Sequence, residues 1–365
     1  MKIFRRNSLV RFFTLVGIFF LTNLSQAATS APAQKNTPAA KAWAAVTALD
    51  SGPEKQPKSR EEAKRYFIEH LQLQEKLLKN YLADFPKSEH TFEARLRLIR
   101  THSAIGTFQG DRNARNEAYG KLGKLENSPG ITHRQAADAG FARVSILFQK
   151  ARHRNKALQE SVVAAARHFY HTYPDDLRSP RVLVEAATIC DDNPKLKREL
   201  LETALQATRE DELKQRIYDD LKRLALLGRP SKLTFPVLKG ADFDLAAYRG
   251  EAVVMVFWAA SSPHSLIWIK EFSERIAPLV KKGKCRVVTF SLDENRSDLE
   301  EMISALQLPY PVGFDGKGWN GKIARDYGIN AIPTVWIYDQ KGILRTLNAR
   351  DNYEQIINEL TGGRN

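Results

Sequence analysis

Residues 245–265 read LAAYRGEAVVMVFWAASSPHS, and the fold of the C-terminal part of the chain turns on them. Ala252 to Trp258 form an unbroken apolar run rich in valine, the composition of a strand covered on both faces in a mixed sheet. The Ser262-Pro263 pair that follows is a favoured helix start. A serine hydroxyl there accepts a hydrogen bond from a first-turn amide, and proline suits the first helical position, where no amide donor is needed. SPHSLIWIKEFSERIAPLVKK, from Ser262 to Lys282, then reads as a helix.

Outward from this strand and helix the alternation continues. CRVVTFSLD, beginning at Cys285, is a second core strand, and RSDLEEMISALQL is a helix. PTVWIYDQKGILRTL is a hairpin turning at DQKG, and DNYEQIINEL closes with a helix. Residues 230–365 are therefore expected to form an α/β layered domain.

LLGRPSKLTFP marks its boundary. Upstream, residues 58–229 read as an all-α domain. In its first helix Tyr66, Phe67, Leu71, Leu78 and Leu82 fall at helical spacing with charges opposite. KNYLADFP and RHFYHTYP each pair two aromatic residues four apart with a proline, Pro86 or Pro174. Residues four apart share a helix face, and proline ends the helix because it lacks an amide donor. The phrasing resembles tetratricopeptide-like repeats, although no full period of about 34 residues can be written; an irregular bundle is the alternative. Residues 28–57, rich in Ala, Pro, Lys and Ser, are expected to be a disordered linker.

Residues 1–27 carry Lys2, Arg5, Arg6 and Arg11, then the apolar run FTLVGIFFL and the small residues Ser25 and Ala27. That is the pattern of an export signal. The run is about half the ~20 residues a membrane span needs, so cleavage is expected to leave no span, with an uncleaved anchor as the alternative. The expected location is periplasmic. The net charge of +14 lies mostly on the helical part. Outside the cytoplasm this argues against nucleic acid and for a solvated helical surface, with an anionic envelope surface or an acidic partner as the alternatives.

Residues 232–360 resemble a thioredoxin-fold domain of the exported TlpA/ResA-like branch, within the redoxin group that includes alkyl hydroperoxide reductase and thiol-specific antioxidant proteins. The matching residues are Tyr248, Arg249 and Gly250, the strand ending Phe257-Trp258-Ala259, SLD at Ser291–Asp293, and YGINAIPTVWIYDQKG. The resemblance implies a cis bond before Pro333. It also implies a groove lined by Trp258, Ile332, Pro333 and Thr334 in which an extended peptide could pair as an added strand; a purely architectural Pro333 is the alternative.

The departures from the family pattern bear on chemistry. Ser262 and Ser265 stand where the family has its two cysteines, with Pro263 and His264 between them. Ser261 replaces a tryptophan, and Val256 stands where many thioredoxins have a buried aspartate. Thiol–disulfide exchange needs an attacking thiolate and a second sulfur to close the bond. Peroxide reduction needs a cysteine that becomes a sulfenic acid. Neither chemistry is expected at residues 262–265, and no cofactor is expected.

Other assignments stay open. Cys190 and Cys285 are packing residues, a bridge, or redox thiols. Ser262 and His264 would need an orienting acid to act as a hydrolase pair. His168 and His171 have a spacing compatible with metal, yet no acid or thiol in register, so no metal is expected. The leading expectation is a redox-inactive binding or scaffolding module for envelope proteins or extended peptides. The alternative is an oxidoreductase using Cys285, Cys190 or a partner's cysteines.

Overall fold

The computed structural model describes residues 37–53, 57–111, 113–150 and 156–362, and the chain divides into two compact units between Asp176 and Leu177. The export signal expected at residues 1–27 lies outside the described residues. Among the described residues no helix is long and apolar enough to cross a membrane.

The first unit is helical: α1 Pro38–Thr47, α2 Arg60–Asp84, α3 Thr91–Gln109, α4 Ala114–Glu126, α5 His133–Lys150 and α6 Lys156–Thr172. Helix α1 corrects the expectation of a disordered linker over residues 28–57 where that stretch is described; residues 28–36 and 54–56 lie outside the described residues. Thr37 caps it, and Pro38 takes its first turn. Trp43 and Val46, three apart on one face, pack against Leu78, Tyr81 and Ala94. The Trp43 ring stacks on His90 at 4.6 Å, and the Arg97 guanidinium lies 5.3 Å over it. Arg97 also reaches Asp50 at 2.8 Å. Composition argued against folding here, but two apolar side chains on one face suffice once a neighbouring helix receives them.

The aromatic-proline echo is a repeated turn. Tyr81 and Phe85 place their rings 5.4 Å apart, Phe169 and Tyr173 theirs 5.0 Å apart. Helix α2 stops just before Phe85 and α6 just before Tyr173. In each case the next turn closes on the second aromatic carbonyl, from Ser88 N at 3.2 Å and Asp176 N at 3.1 Å.

The second unit opens with helices α7 Arg178–Thr188, α8 Pro194–Ala207 and α9 Asp211–Leu226. The change of pattern at Pro230 therefore falls inside this unit. A short antiparallel pair follows, β1 Thr234–Phe235 and β2 Phe243–Asp244. The main sheet comprises β3 Ala252–Trp258, β4 Cys285–Ser291, β5 Val312–Phe314, β6 Thr334–Tyr338 and β7 Leu344–Thr346, in the order β5-β4-β3-β6-β7. β3, β4 and β5 run parallel; β6 and β7 complete the sheet antiparallel. Parallel neighbours need crossovers, supplied by α10 Pro263–Lys281 and α11 Arg296–Leu306; α12 Lys322–Asp326 and α13 Tyr353–Thr361 complete the unit.

All seven residues of β3 are buried. Because side chains alternate along a strand, Val254, Val256 and Trp258 face one core, with Ile269, Phe272 and Ile276 of α10 and Tyr353 and Ile357 of α13. On the other face Phe257 meets Trp336 at 5.1 Å, and Phe290 meets Phe235 at 5.1 Å. Gly313 of β5 allows that aromatic contact, since a Cβ there would lie 2.4 Å from the Phe235 ring.

Candidate functional site

The candidate site forms where β3 gives way to α10. Ser262 has an extended backbone and caps α10, its Oγ accepting a hydrogen bond from Ser265 N at 3.3 Å, with Pro263 in the first turn. The turn before it closes from Ser262 N to Ala259 O at 3.2 Å. Ser261, Pro263 and His264 are exposed, Ser262 is half-buried and Ser265 is buried. The Ser265 hydroxyl has no hydrogen-bond partner among the described residues. One serine is engaged as a cap; the other is a polar atom enclosed by core.

A residue outside this loop holds its shape. Asp293, buried two residues past the end of β4, accepts from Ala260 N at 2.6 Å and from Ser261 N at 2.9 Å. Ser291 Oγ donates to the same carboxylate at 2.7 Å. The carboxylate thus meets two backbone amides through charge-assisted bonds, among the stronger kinds in proteins. SLD was legible as a motif, but its role as a clamp was not.

The second wall is the loop before β6. The register pairs Phe257 with Thr334 across β3 and β6, which sets Pro333 beside the end of β3, where the 259–262 loop departs. The Ile332–Pro333 bond is cis. Ile332 is half-buried, Pro333 and Thr334 are buried, and Thr334 Oγ1 donates to Ala331 O at 2.7 Å.

Trp258 corrects the expected groove lining. Its side chain is fully buried in the core beneath the site, because the strand alternation that points Val254 and Val256 inward points Trp258 the same way.

Helix α9 braces this second loop. Asn330 Nδ2 donates to Asp220 Oδ1 at 3.0 Å, and Lys222 Nζ donates to Arg325 O at 2.8 Å. Asp220, itself buried, pairs with Arg223. Gly328, at φ +62, lies so close to α9 that a Cβ would come within 2.6 Å of Asp219 O. No local motif signals a partner about a hundred residues away in sequence, so Asp220 and Asn330 were not legible.

Partial covering of its imidazole, and secondly the charge of Arg350, hold the otherwise exposed His264 below its ordinary 6.5. No hydrogen bond joins Ser262 to His264 among the described residues, and the Ser262 hydroxyl already accepts the Ser265 amide.

Residues 230–347 match the family model described as the AhpC/TSA family. This segment is a thioredoxin-like domain. Its similarity extends to the sporulation thiol-disulfide oxidoreductase A of Bacillus subtilis, 23% identical over 116 residues, spanning 31% of this chain and 67% of that protein. The thiol:disulfide interchange protein DsbE of Yersinia pestis is 27% identical over 137 residues, spanning 36% of this chain and 69% of that one. Among solved structures, a thioredoxin-like protein from Bacteroides caccae is 16% identical, with a TM-score of 0.42, and covers 68% of this chain and 94% of its own.

The sulfur in this chain lies elsewhere. Cys285 opens β4 and Cys190 follows α7; both are buried, and neither is in a disulfide. Burial pushes the Cys285 thiol up to about 12. The Cys190 Sγ donates to Ala186 O at 3.2 Å. In the first unit His168 and His171 are exposed on α6, and among the described residues no group of three or more His, Cys, Asp and Glu is placed to hold a metal.

Proposed function

We propose that the thioredoxin-like domain binds polypeptide and carries out no thiol–disulfide exchange through residues 262–265, and that the protein works as an exported binding or scaffolding module of the cell envelope. The observation that carries this reading is the state of the two serines. Ser262 Oγ is engaged as a helix cap, and Ser265 is enclosed at the position where a second sulfur would have to close a disulfide. Serine has no oxidised state equivalent to a disulfide, so the pair cannot store two electrons. Buried thiols are inert because the thiolate, not the thiol, attacks, and the raised value of Cys285 weighs against a displaced redox centre there. The loop at Ile332, half-buried beside the end of β3, supports the binding half of the reading: it offers an extended segment a place to pair.

Insulin reduction with a dithiol donor tests the first half. The purified protein is expected to give only background turnover, and a rate that disappears in Ser262→Ala would sink the proposal. For the second half, co-purification from the native envelope is compared between the wild type and Ile332→Asp. Retention of every partner by the variant would remove the loop from the binding surface.

A further inference from the structure

We infer that the cleft between α3 and α4 is a docking site for an acidic polypeptide segment that inserts one aliphatic side chain. It lies in the first unit and is independent of the thioredoxin-like domain. An open depression of about 270 Å³ is lined by Arg95, Leu98 and Ile99 of α3, by Lys121, Lys124 and Leu125 of α4, and by Ser128. The two sets follow the same spacing. Positions 95, 98 and 99 share one face of α3, positions 121, 124 and 125 share one face of α4, and Ser128 follows in the turn after α4. Each face therefore presents cations beside aliphatic residues, and the two faces meet at the cleft.

Charge decides the sign of the occupant. Three cations line the cleft. Lys121 has Glu117 at 3.5 Å, one turn away along α4, while Arg95 and Lys124 have no ion-pair partner among the described residues. The next acid along α4, Glu126, is committed to the interior: it accepts from Arg143 Nη1 at 3.1 Å and from Tyr173 OH at 3.0 Å. Cations held over an apolar floor with no internal carboxylate favour an anionic partner and its electrostatic steering.

Size decides the kind of occupant. The depression is largely open to solvent, so it does not enclose a whole small molecule as ligand pockets do. It suits one anchoring side chain, with flanking carboxylates on the rim, the arrangement of a buried anchor inside a polar border. A leucine-sized group on Leu98, Ile99 and Leu125, flanked by glutamates or aspartates, satisfies both halves of the lining.

The test uses the full chain and a fluorescein-labelled peptide with one leucine flanked on each side by two glutamates, followed by anisotropy. Saturable binding tighter than about 1 mM is expected. Replacing that leucine by serine should weaken it about tenfold, and so should the exposed double variant Arg95→Glu/Lys124→Glu, whose helicity is checked by circular dichroism. Raising the salt from about 50 to 300 mM should weaken it too. Absence of saturation, full affinity in the double variant, or equal affinity of the serine peptide would each overturn the inference. Binding of anionic phospholipid vesicles without binding of the peptide would overturn it in favour of a membrane surface. Lys124→Glu alone supplies the same reading if the double variant loses helicity.

Discussion

Asn330 Nδ2 donates a hydrogen bond to Asp220 Oδ1 across 3.0 Å, and through it a helix that precedes the sheet holds the loop that precedes Pro333. Asp220 also neutralises Arg223 in a largely buried setting. Removing one member of a buried pair leaves the other charge uncompensated, at a cost of about 3–5 kcal/mol. Asp220→Ala is therefore expected to lower stability by about 3 kcal/mol in urea unfolding and to speed hydrogen exchange at residues 327–332. Unchanged exchange there would separate α9 from the loop.

The two serines should respond differently to loss of the hydroxyl. Ser262→Ala removes a cap, at a cost of about 1 kcal/mol. Ser265→Ala removes an enclosed hydroxyl that has no partner among the described residues, so it is expected to leave stability unchanged or raise it by about 1 kcal/mol. Paired thermal melts check the contrast; a large loss in Ser265→Ala would mean the hydroxyl is satisfied.

The cysteines should be silent in the native protein. At neutral pH iodoacetamide is expected to modify neither Cys190 nor Cys285 until denaturant is added, as mass spectrometry would read. Cys285 also sets an alkaline limit. Its native value of about 12 exceeds the ordinary 9.0, so its contribution to stability is complete below 9.0 and is lost as the pH rises from there towards 12. Rapid native labelling would place a thiol within reach of partners.

His264 has the opposite sign. Its native value lies below 6.5, so the folded state binds its proton less readily than the unfolded chain does. Stability is complete above 6.5 and declines as the pH falls from there through the lower native value. Burial is the larger cause and Arg350 the smaller, so Arg350→Gln should return the imidazole only part of the way, as an NMR titration would show. No movement would place Arg350 too far away to act.

The strand at Ala252–Trp258, the capped helix after it and the hairpin at Asp339–Gly342 were legible because each rests on neighbours in sequence: an apolar run, a Ser-Pro pair, a turn. The cis bond before Pro333 came from family resemblance. Helix α1 was missed because its stability comes from Leu78, Tyr81 and Arg97, far along the chain. Trp258 was misplaced for a local reason that could have been applied: the parity that puts Val254 and Val256 in the core puts it there as well. Asp293, Asp220 and Asn330 act on distant segments, and a linear reading has no signal for a carboxylate that meets amides some thirty residues before it.

Asp293 carries a consequence for how this domain tolerates change. Its carboxylate grips the main chain at Ala260 and Ser261, and a backbone amide is the same whatever side chain it bears. The bend that launches α10 is thus anchored from the neighbouring strand, leaving the side chains of the bend free to vary in chemistry while its path stays fixed. A scaffold fastened this way can accept exchanges of side chain along the bend and keep its outline.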